Sequence, residues 1–234
     1  DRRCGDGGGD EREARPGAMT SLKKGLLLDF GGVISVTLFE RHRLTEKLLG
    51  LPAGTMKWRG PFDPATDDLW RDMIADRISE RDYWARRAAE TGRLVSEDWD
   101  MLAMIRRTIG EDPNLHVRPE ALDLVQRAKA ADRRVGILSN ELELFYGGDN
   151  MALLAILRLM DSLVDATHTK ILKPDPRAYA LGCEALGLAP QDVVFVDDQP
   201  RNVEGARKAG LIAVQFDVRR PSHSFGAAAQ ELGL

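Results

Sequence analysis

The sequence predicts an α/β protein in which helices cover both faces of a parallel sheet and an all-helical segment follows the first strand. Three observations lead to this prediction. The stretch 26–34 opens on a short, unbroken apolar run and is bounded by glycine, and apolar residues also dominate 133–138 and 193–196; such runs are typical of strands buried on both faces. Segments with helical spacing separate the later runs, and alternating strands and helices form parallel sheets. The long stretch between the first two runs shows helical spacing only.

The composition indicates an ordinary soluble globular protein. The 234 residues are 43% hydrophobic and 30% charged, with a net charge of −4. This length suits one domain with an insertion or two small domains. The negative charge argues against nucleic-acid binding, and no apolar run reaches the ~18–20 residues that span a bilayer. With no signal peptide and only two cysteines, Cys4 and Cys183, we expect a cytoplasmic protein that binds no membrane.

The first residues differ in composition from the rest. Residues 1–18 are rich in Gly, Asp, Glu and Arg and nearly lack large apolar side chains. Such a segment cannot bury enough surface to offset the entropy of ordering, so we expect a disordered tail. Met19 is a plausible native start, which leaves open whether residues 1–18 belong to the native protein. The predicted core comprises residues 19–36 and 112–234, and the predicted cap comprises residues 37–111.

The first strand leads directly to a carboxylate. Asp29 ends its apolar part, and Gly31 and Gly32 follow. Glycine allows a sharp turn and a close approach of the backbone to a ligand, so we expect a turn beside Asp29.

Residues 40–110 contain four sets of apolar side chains at helical spacing, which predict a four-helix cap. The sets are Leu44, Leu48 and Leu49; Leu69, Met73, Ile74 and Ile78; Tyr83, Trp84, Ala88 and Ala89; and Leu102, Ile105 and Ile109. Ser79 followed by Asp82, and Ser96 followed by Trp99, predict helix starts. We expect Trp70, Trp84 and Trp99 in the core of the cap. Trp58, in a loop beside Arg59, is the pocket candidate.

After the cap the alternation of helix and strand resumes. The predicted helices are residues 119–130, 149–160, 174–186 and 200–209, and the predicted strands are 133–138, 163–166, 193–196 and 212–216. Pro119 favours a helix start, and Gly187 and Gly210 favour helix ends. The apolar helix 149–160 packs either on the sheet, which we prefer, or on a second subunit, so the chain is a monomer or a homodimer. This order predicts a right-handed, Rossmann-like three-layer core.

Chemically active side chains lie at or near the ends of the predicted strands, and in a parallel sheet those ends meet at the edge where ligands bind. They are Asp29, Ser139, Asn140, Lys173, Asp197 and Asp198. A carboxylate such as Asp29 can attack phosphorus. The Asp197–Asp198 pair offers hard oxygens that suit Mg²⁺. The lysine and the Ser–Asn pair can stabilise charge on a transferring phosphoryl group.

These motifs, in this order, resemble the haloacid dehalogenase-like hydrolase superfamily over residues 24–217. The resemblance implies a magnesium-dependent hydrolase in which Asp29 is the nucleophile and a metal ligand. It implies that Gly31 offers its backbone carbonyl to the metal and that Asp198 ligates it directly, with Asp197 in support. The roles implied for the other residues are these: Gly31, Gly32, Ser139 and Asn140 hold the phosphoryl group, Lys173 rather than Lys170 pairs with Asp29, and Asn202 orders the loop. The turn after Asp29 would form a small flap.

One position departs from the family pattern. Most phosphatases of the family have a second Asp two residues after the nucleophile, which protonates the leaving group, and here that residue is Gly31. A general acid is typically worth ~10²–10⁴-fold in rate. Three explanations stay open: a substrate with a good leaving group, a donor from the cap such as His42 or Asp63, or a loss of efficient turnover.

The same departure raises a second hypothesis, a 2-haloacid dehalogenase, because displacing halide from carbon needs no proton donor. That branch of the family is metal-independent, however, whereas the Asp197–Asp198 pair is intact here. A third hypothesis is a non-catalytic binding or regulatory module, but a decayed site would not keep its charged residues. We therefore expect a Mg²⁺-dependent phosphohydrolase that acts on a small phosphorylated metabolite through an aspartyl-phosphate intermediate.

Overall fold

The computed structural model describes residues 25–234. The predicted tail, residues 1–18, lies outside the described residues, as do Met19 and Cys4. Within residues 25–234, every helix is too short or too polar to cross a membrane.

The core is a five-stranded sheet in which all neighbouring strands run parallel. The strands are β1 (Gly25–Leu28), β2 (Arg134–Ser139), β3 (Ser162–Asp165), β4 (Val193–Asp197) and β5 (Ile212–Gln215). They lie in the order β3-β2-β1-β4-β5, so β1 is central, between β2 and β4. This arrangement confirms the predicted parallel α/β core and puts the strand that leads to Asp29 in the middle of the sheet.

Helices cover both faces of the sheet. The helices of the core are α5 (Pro119–Ala130), α6 (Leu142–Leu153), α7 (Ala166–Thr169), α8 (Pro176–Leu186), α9 (Pro200–Lys208) and α10 (Pro221–Leu232). Because side chains alternate along a strand, Leu26 and Leu28 pack on the face covered by α5 and α10, whereas Leu27 packs on the face of α8 and α9. All three leucines are fully buried, which explains why β1 is apolar throughout.

Four α-helices lie between β1 and α5, as the spacing predicted. They are α1 (His42–Leu48), α2 (Asp68–Ile74), α3 (Glu80–Arg93) and α4 (Met101–Thr108), and we call residues 37–111 the helical insertion. Ser79 caps α3 through a reciprocal pair of hydrogen bonds with Asp82, which confirms that predicted start.

The helical insertion has an aromatic core of its own. Phe39, Trp58 and Tyr83 are buried there, and Trp70 and Trp84 pack against them. The interpretation of Trp58 as a pocket residue is wrong. Its side chain is 3% exposed and meets the rings of Phe39 and His42 edge to face, with centroids 5.5 and 4.2 Å apart. Trp58 therefore fills the core that was predicted for the other tryptophans.

Two predicted helices differ clearly from the structure, and in both cases a polar side chain hydrogen-bonds to backbone groups at the end of a helix. Helix α4 does not start near Ser96, whose φ is +60°, but at Met101, where the Asp100 carboxylate accepts from Ala103 N at 2.7 Å. The apolar stretch 149–160 is not one helix. Helix α6 runs from Leu142 to Leu153 with a break at Gly147, and a 3-10 turn follows at Ala155–Leu159. Asn114 binds Leu153 O and Ala155 N at the junction, where the intervening residue is extended.

Asp67 is the polar centre of the helical insertion. Its carboxylate is fully buried and accepts from Gly60 N at 3.0 Å, Trp70 N at 2.9 Å and the Tyr83 hydroxyl at 2.9 Å, and it pairs with Arg87. The carboxylate thus joins the loop before α2, the start of α2 and one face of α3. These partners hold the pKa of Asp67 low, against the opposing effect of burial.

We expect Asp67→Ala to lower the free energy of unfolding by about 3–5 kcal/mol, because it leaves a buried arginine and several buried donors without their acceptor. Urea unfolding followed by tryptophan fluorescence measures this directly, since all four tryptophans lie in the helical insertion. Asp68→Ala is the matched control, because the Asp68 side chain is 85% exposed and surface pairs are worth about 1 kcal/mol or less. Equal destabilisation by the two substitutions would contradict this account.

Candidate active site

The predicted side chains gather at the carboxyl-terminal edge of the sheet. Strand β1 ends just before Asp29, β2 ends at Ser139, and β4 ends at Asp197. Because the three strands are adjacent and parallel, these ends lie side by side. The backbone of Asp29 stays tied to the neighbouring strand, since its N–H donates to Val196 O at 2.9 Å. The topology therefore brings together residues from three separate parts of the sequence.

Lys173 lies between two of the carboxylates. Its Nζ is 2.8 Å from Asp29 Oδ1 and 2.7 Å from Asp197 Oδ2, and the residue is 4% exposed. Burial lowers the pKa of Lys173, but the two carboxylates more than offset this effect, so the pKa is raised and the ammonium group stays charged. Lys170, the rival in the sequence, is exposed and donates to Thr167 O instead.

Asp197 has a full set of partners. Besides Lys173, it accepts from Gln199 N at 2.8 Å and from Asn202 Nδ2 at 3.1 Å. Asp197 is fully buried and Asn202 is 3% exposed, so the contact between these two side chains is shielded from solvent. The contact agrees with the predicted ordering role of Asn202.

Asp198 differs from its neighbour. Among residues 25–234, no side chain or backbone group donates a hydrogen bond to its carboxylate, while its backbone carbonyl accepts from Gln215 at 2.7 Å. Burial, followed by the charges of Asp29 and Asp197, raises the pKa of Asp198 well above its usual range. Burial also raises the pKa of Asp29 to about 6, with Lys173 acting in the opposite direction. Both carboxylates therefore ionise less readily than an exposed aspartate.

The three aspartates fit a hard divalent cation. Asp29, Asp197 and Asp198 each offer one carboxylate oxygen, and these oxygens lie within 4.8 Å of one another. Three carboxylates face one ammonium group, so the cluster carries an excess of negative charge when all are ionised. Oxygen donors and this excess of charge suit Mg²⁺, which binds through one or two carboxylates plus water and substrate phosphate. It is the one such acidic group found in the described part of the chain.

The two glycines after Asp29 have different surroundings. Gly32 has a φ of +78°, and a Cβ on it would lie 2.5 Å from Asp198 Oδ2, so both the backbone and the space require glycine. Gly31 has a φ of −68° and a ψ of 124°, which any residue can adopt, and a Cβ there would have no neighbour within 4 Å. Only Gly32 is needed to bring the turn against Asp198.

Ser139 and Asn140 follow β2 as predicted, but they have different surroundings. Ser139 is 6% exposed at the end of the strand. The Asn140 side chain accepts from Lys173 N at 2.7 Å and donates to Lys173 O at 3.2 Å. Asn140 therefore positions the backbone of the buried lysine and keeps one amide proton for a ligand. Sequence reasoning missed this contact, because nothing in the local pattern connects residues 33 positions apart.

The helical insertion reaches this edge through the first turn of α3. Glu80 accepts from Gln199 Nε2 at 2.5 Å and from Arg201 Nη2 at 2.7 Å, while Arg81 lies 3.7 Å from Glu141. Sequence reasoning missed these residues too. Gln199 directly follows the Asp pair, which was the available signal for it. Nothing in the sequence marks Glu80.

The two proton donors suggested from the sequence are not among these contacts. His42 is 6% exposed and packs on Trp58 within the helical insertion. Burial, followed by the charge of Arg59, lowers the pKa of His42 to about 4. Asp63 is exposed in a short turn. Among the described residues, neither side chain hydrogen-bonds to Asp29, Lys173 or the Asp pair.

Comparison with known proteins gives a consistent family. A model of the haloacid dehalogenase-like hydrolases matches residues 17–210. (S)-2-haloacid dehalogenase 1 of Pseudomonas sp. (strain CBS-3) is 30% identical over 174 residues, which cover 70% of this chain and 72% of the relative. Phosphatase MT3486 of Mycobacterium tuberculosis is 34% identical over 99 residues, which cover 42% and 46% of the two chains. The chain spans less than half the length of the first curated relatives that it matches.

Solved structures agree on the fold. The L-2-haloacid dehalogenase of Xanthobacter autotrophicus superposes with a TM-score of 0.53 at 21% identity, covering 82% of this chain and 77% of the other. This similarity extends the match in sequence to the three-dimensional arrangement of the sheet and its helices.

The contrast between the two glycines predicts a contrast between two substitutions. We expect Gly32→Ala to lower the free energy of unfolding by about 1–3 kcal/mol, because alanine is strained at positive φ and its Cβ meets Asp198. Gly31→Ala should be close to neutral. Urea unfolding of both variants checks this, and equal effects would show that the turn is not held against Asp198.

Proposed function

The chain belongs to the haloacid dehalogenase-like hydrolase family, and from this we propose that it is a Mg²⁺-dependent phosphohydrolase acting on a small phosphorylated metabolite. The observation that carries the proposal is the Asp198 carboxylate, which has no donor among the described residues and lies beside Asp29 and Asp197. Three carboxylates that face one ammonium group carry an excess of negative charge when all are ionised, and a bound cation would balance it. Phosphoryl transfer is a reaction that uses one.

Mg²⁺ would be held by the carboxylates of Asp29 and Asp198 and by the backbone carbonyl of Gly31, with Asp197 in support. When bound, it would supply positive charge to the oxygens of the transferring phosphoryl group. Asp197 is suited to a supporting role, because Lys173, Gln199 and Asn202 already occupy its oxygens.

The chain's own residues divide the reaction into two steps. A carboxylate oxygen of Asp29 attacks phosphorus, the bond from phosphorus to the leaving oxygen breaks, and an aspartyl-phosphate forms. Water then attacks the same phosphorus, which releases inorganic phosphate and restores the Asp29 carboxylate. Lys173 holds Asp29 in place and adds a fixed positive charge. Ser139 and the remaining amide proton of Asn140 donate to the phosphoryl oxygens, together with the backbone of the Gly31–Gly32 turn.

The leaving group defines the substrate class. Gly31 provides no acid. At the sheet edge the helical insertion contributes Arg81, which is a cation, and Glu80, whose two carboxylate oxygens already accept from Gln199 and Arg201. A missing general acid raises the barrier by roughly 3–5 kcal/mol for an alkoxide leaving group. Substrates that leave as stable anions, such as acyl phosphates or sugar 1-phosphates, avoid this barrier. We therefore assign the site to activated phosphates.

The helical insertion is proposed to act as a cap over the core, with the core formed by residues 19–36 and 112–234. The bonds from Glu80 to Gln199 and Arg201 support this role, because Gln199 directly follows the Asp pair. A cap that closes on this edge would exclude water and contact the part of the substrate beyond the phosphate.

A second candidate function is dehalogenation of a 2-haloacid. It is favoured by relatives and structural neighbours that are named 2-haloacid dehalogenases and by the absence of an acid at Gly31. Displacement of halide from carbon by Asp29 would need no metal, however, and would leave the Asp198 carboxylate without a cation. Relatives named as phosphatases also match this chain, in agreement with the phosphohydrolase proposal.

We expect Mg²⁺-dependent phosphate release from p-nitrophenyl phosphate and acetyl phosphate. Asp29→Asn should abolish this release while the protein keeps its fold, which circular dichroism checks. The amide keeps the shape of the side chain but is a poor nucleophile. Undiminished turnover in the Asp29→Asn variant would disprove the mechanism. Metal-independent release of chloride from 2-chloropropionate, without phosphate release from either ester, would favour the second candidate.

Installing the missing acid should widen the substrate range. In Gly31→Asp the new side chain has room and an allowed backbone, so we expect turnover of a simple alkyl phosphate to rise by about 10²-fold, within the usual range for a general acid. Turnover of p-nitrophenyl phosphate should change little, because its leaving group needs no proton. Gly31→Asn is the matched control, since it has the same size and no acidic proton. Equal gains with Asn and Asp would rule out proton donation as the cause.

A further inference from the structure

The most elaborate buried ion pair near the site has no role in the mechanism above. Arg118 directly precedes α5 and is 3% exposed. Its Nη1 and Nη2 donate to the two carboxylate oxygens of Glu40 at 2.8 and 2.7 Å. Its Nε and Nη2 also donate to Gly32 O, at 3.3 and 3.1 Å. The guanidinium thus connects a carboxylate to the backbone of the turn beside Asp29.

This turn is held on two sides. Arg118 holds the carbonyl of Gly32, and Asp198 lies against its Cα, where no Cβ would fit. The backbone of Arg118 adds a third contact, because its N–H donates to Ile34 O at 2.8 Å. The Gly32 carbonyl is part of the planar peptide group between Gly32 and Val33, so the guanidinium holds the orientation of that peptide group. Arg118 therefore contacts the turn that follows Asp29 at two backbone carbonyls, those of Gly32 and Ile34.

The same ion pair connects the turn to the helical insertion. Glu40 lies just before α1, and its carboxylate also accepts from Thr37 N and Thr37 Oγ1, both at 2.8 Å. Arg118 lies where the chain returns from the insertion to the core, next to the bridge between Ser35 and Val117. Both passages of the chain between core and insertion thus meet at one guanidinium.

We propose that Arg118 is a positioning residue: with Glu40, it holds the Gly31–Gly32 turn in the shape in which Asp29 and Asp198 face a common ligand, and it couples that shape to the helical insertion. The proposal rests on the proposed function, because this shape matters to the reaction only if the turn and the two aspartates hold the phosphoryl group. Arginine is required because its planar fork serves two oxygens of Glu40 and one carbonyl at once, which an ammonium group cannot do.

The test compares two buried arginines. Arg118→Met should lower kcat on p-nitrophenyl phosphate by about 10²-fold with little change in KM, because a displaced turn costs transition-state contacts. Amide hydrogen exchange in residues 29–36 should become faster by on the order of tenfold, since local opening costs less without the guanidinium.

Arg41→Met is the matched control. Arg41 is 5% exposed, lies in the outgoing passage and donates to Thr108 O rather than to the turn. It should lose stability but keep kcat and the exchange rate of residues 29–36.

Two further variants keep the proposal testable if Arg118→Met does not fold. Arg118→Lys retains the charge and should show a smaller loss of kcat than methionine. Glu40→Gln should be non-additive with Arg118→Lys, because the two residues act as one unit. Equal kcat losses in the Arg41 and Arg118 variants, or unchanged exchange in residues 29–36, would overturn the proposal.

Failure of the proposed function and failure of the role of Arg118 would give different results. If the wild-type protein hydrolyses neither p-nitrophenyl phosphate nor acetyl phosphate, the phosphohydrolase proposal fails. The exchange measurement still decides whether Arg118 holds the turn, because it needs no substrate and no metal.

Discussion

The buried ammonium group of Lys173 is the interaction on which the site depends. It touches Asp29 and Asp197 at ordinary ion-pair distances and has almost no contact with solvent. A buried lysine is stable only with compensating charge, and two carboxylates at the ends of adjacent strands supply it. The same two carboxylates would repel each other without it. Lys173 therefore offsets the charge of Asp29 and Asp197 at the sheet edge, whereas no contact joins it to the third carboxylate, Asp198.

Around Lys173, each supporting residue restricts the movement of one side chain or backbone segment of the site. Asn140 binds both backbone groups of Lys173, Asn202 and Gln199 fill the oxygens of Asp197, and Gly32 brings the turn against Asp198. Preorganised groups of this kind need no reorganisation when charge develops in a reaction, which is why such sites catalyse phosphoryl transfer.

The helical insertion is built differently. It has its own aromatic core around Trp58 and its own polar centre at Asp67, and its described side-chain contacts with the active-site edge are made by a few charged residues.

Sequence reasoning succeeded where a local pattern and one topological rule suffice. Apolar runs identified the strands, and the rule that parallel strands end at one edge was enough to bring Asp29, Lys173 and the Asp pair together. It failed where neighbouring polar groups compete for the same backbone. Asp100 rather than Ser96 caps α4. Asn114 binds backbone groups at Leu153 and Ala155, and at this point the predicted helix 149–160 is interrupted. It also misplaced Trp58, because a loop position says nothing about which side of a folded segment the ring will occupy. The last helix, α10, was not predicted at all.

The sequence by itself determined the α/β class, the strand that leads to Asp29 and the chemical identity of the groups at the sheet edge. These properties follow from the order of apolar and polar residues along the chain, which needs no knowledge of distant partners. Only the tertiary structure decided the partners of the polar groups that no motif connects. Arg118 and Gly32 are 86 residues apart, Asn140 and Lys173 are 33 apart, and Glu80 and Arg201 are 121 apart. Hydrogen bonds act over about 3 Å and carry no periodic signal, so pairs so distant in sequence become visible only when the chain has folded.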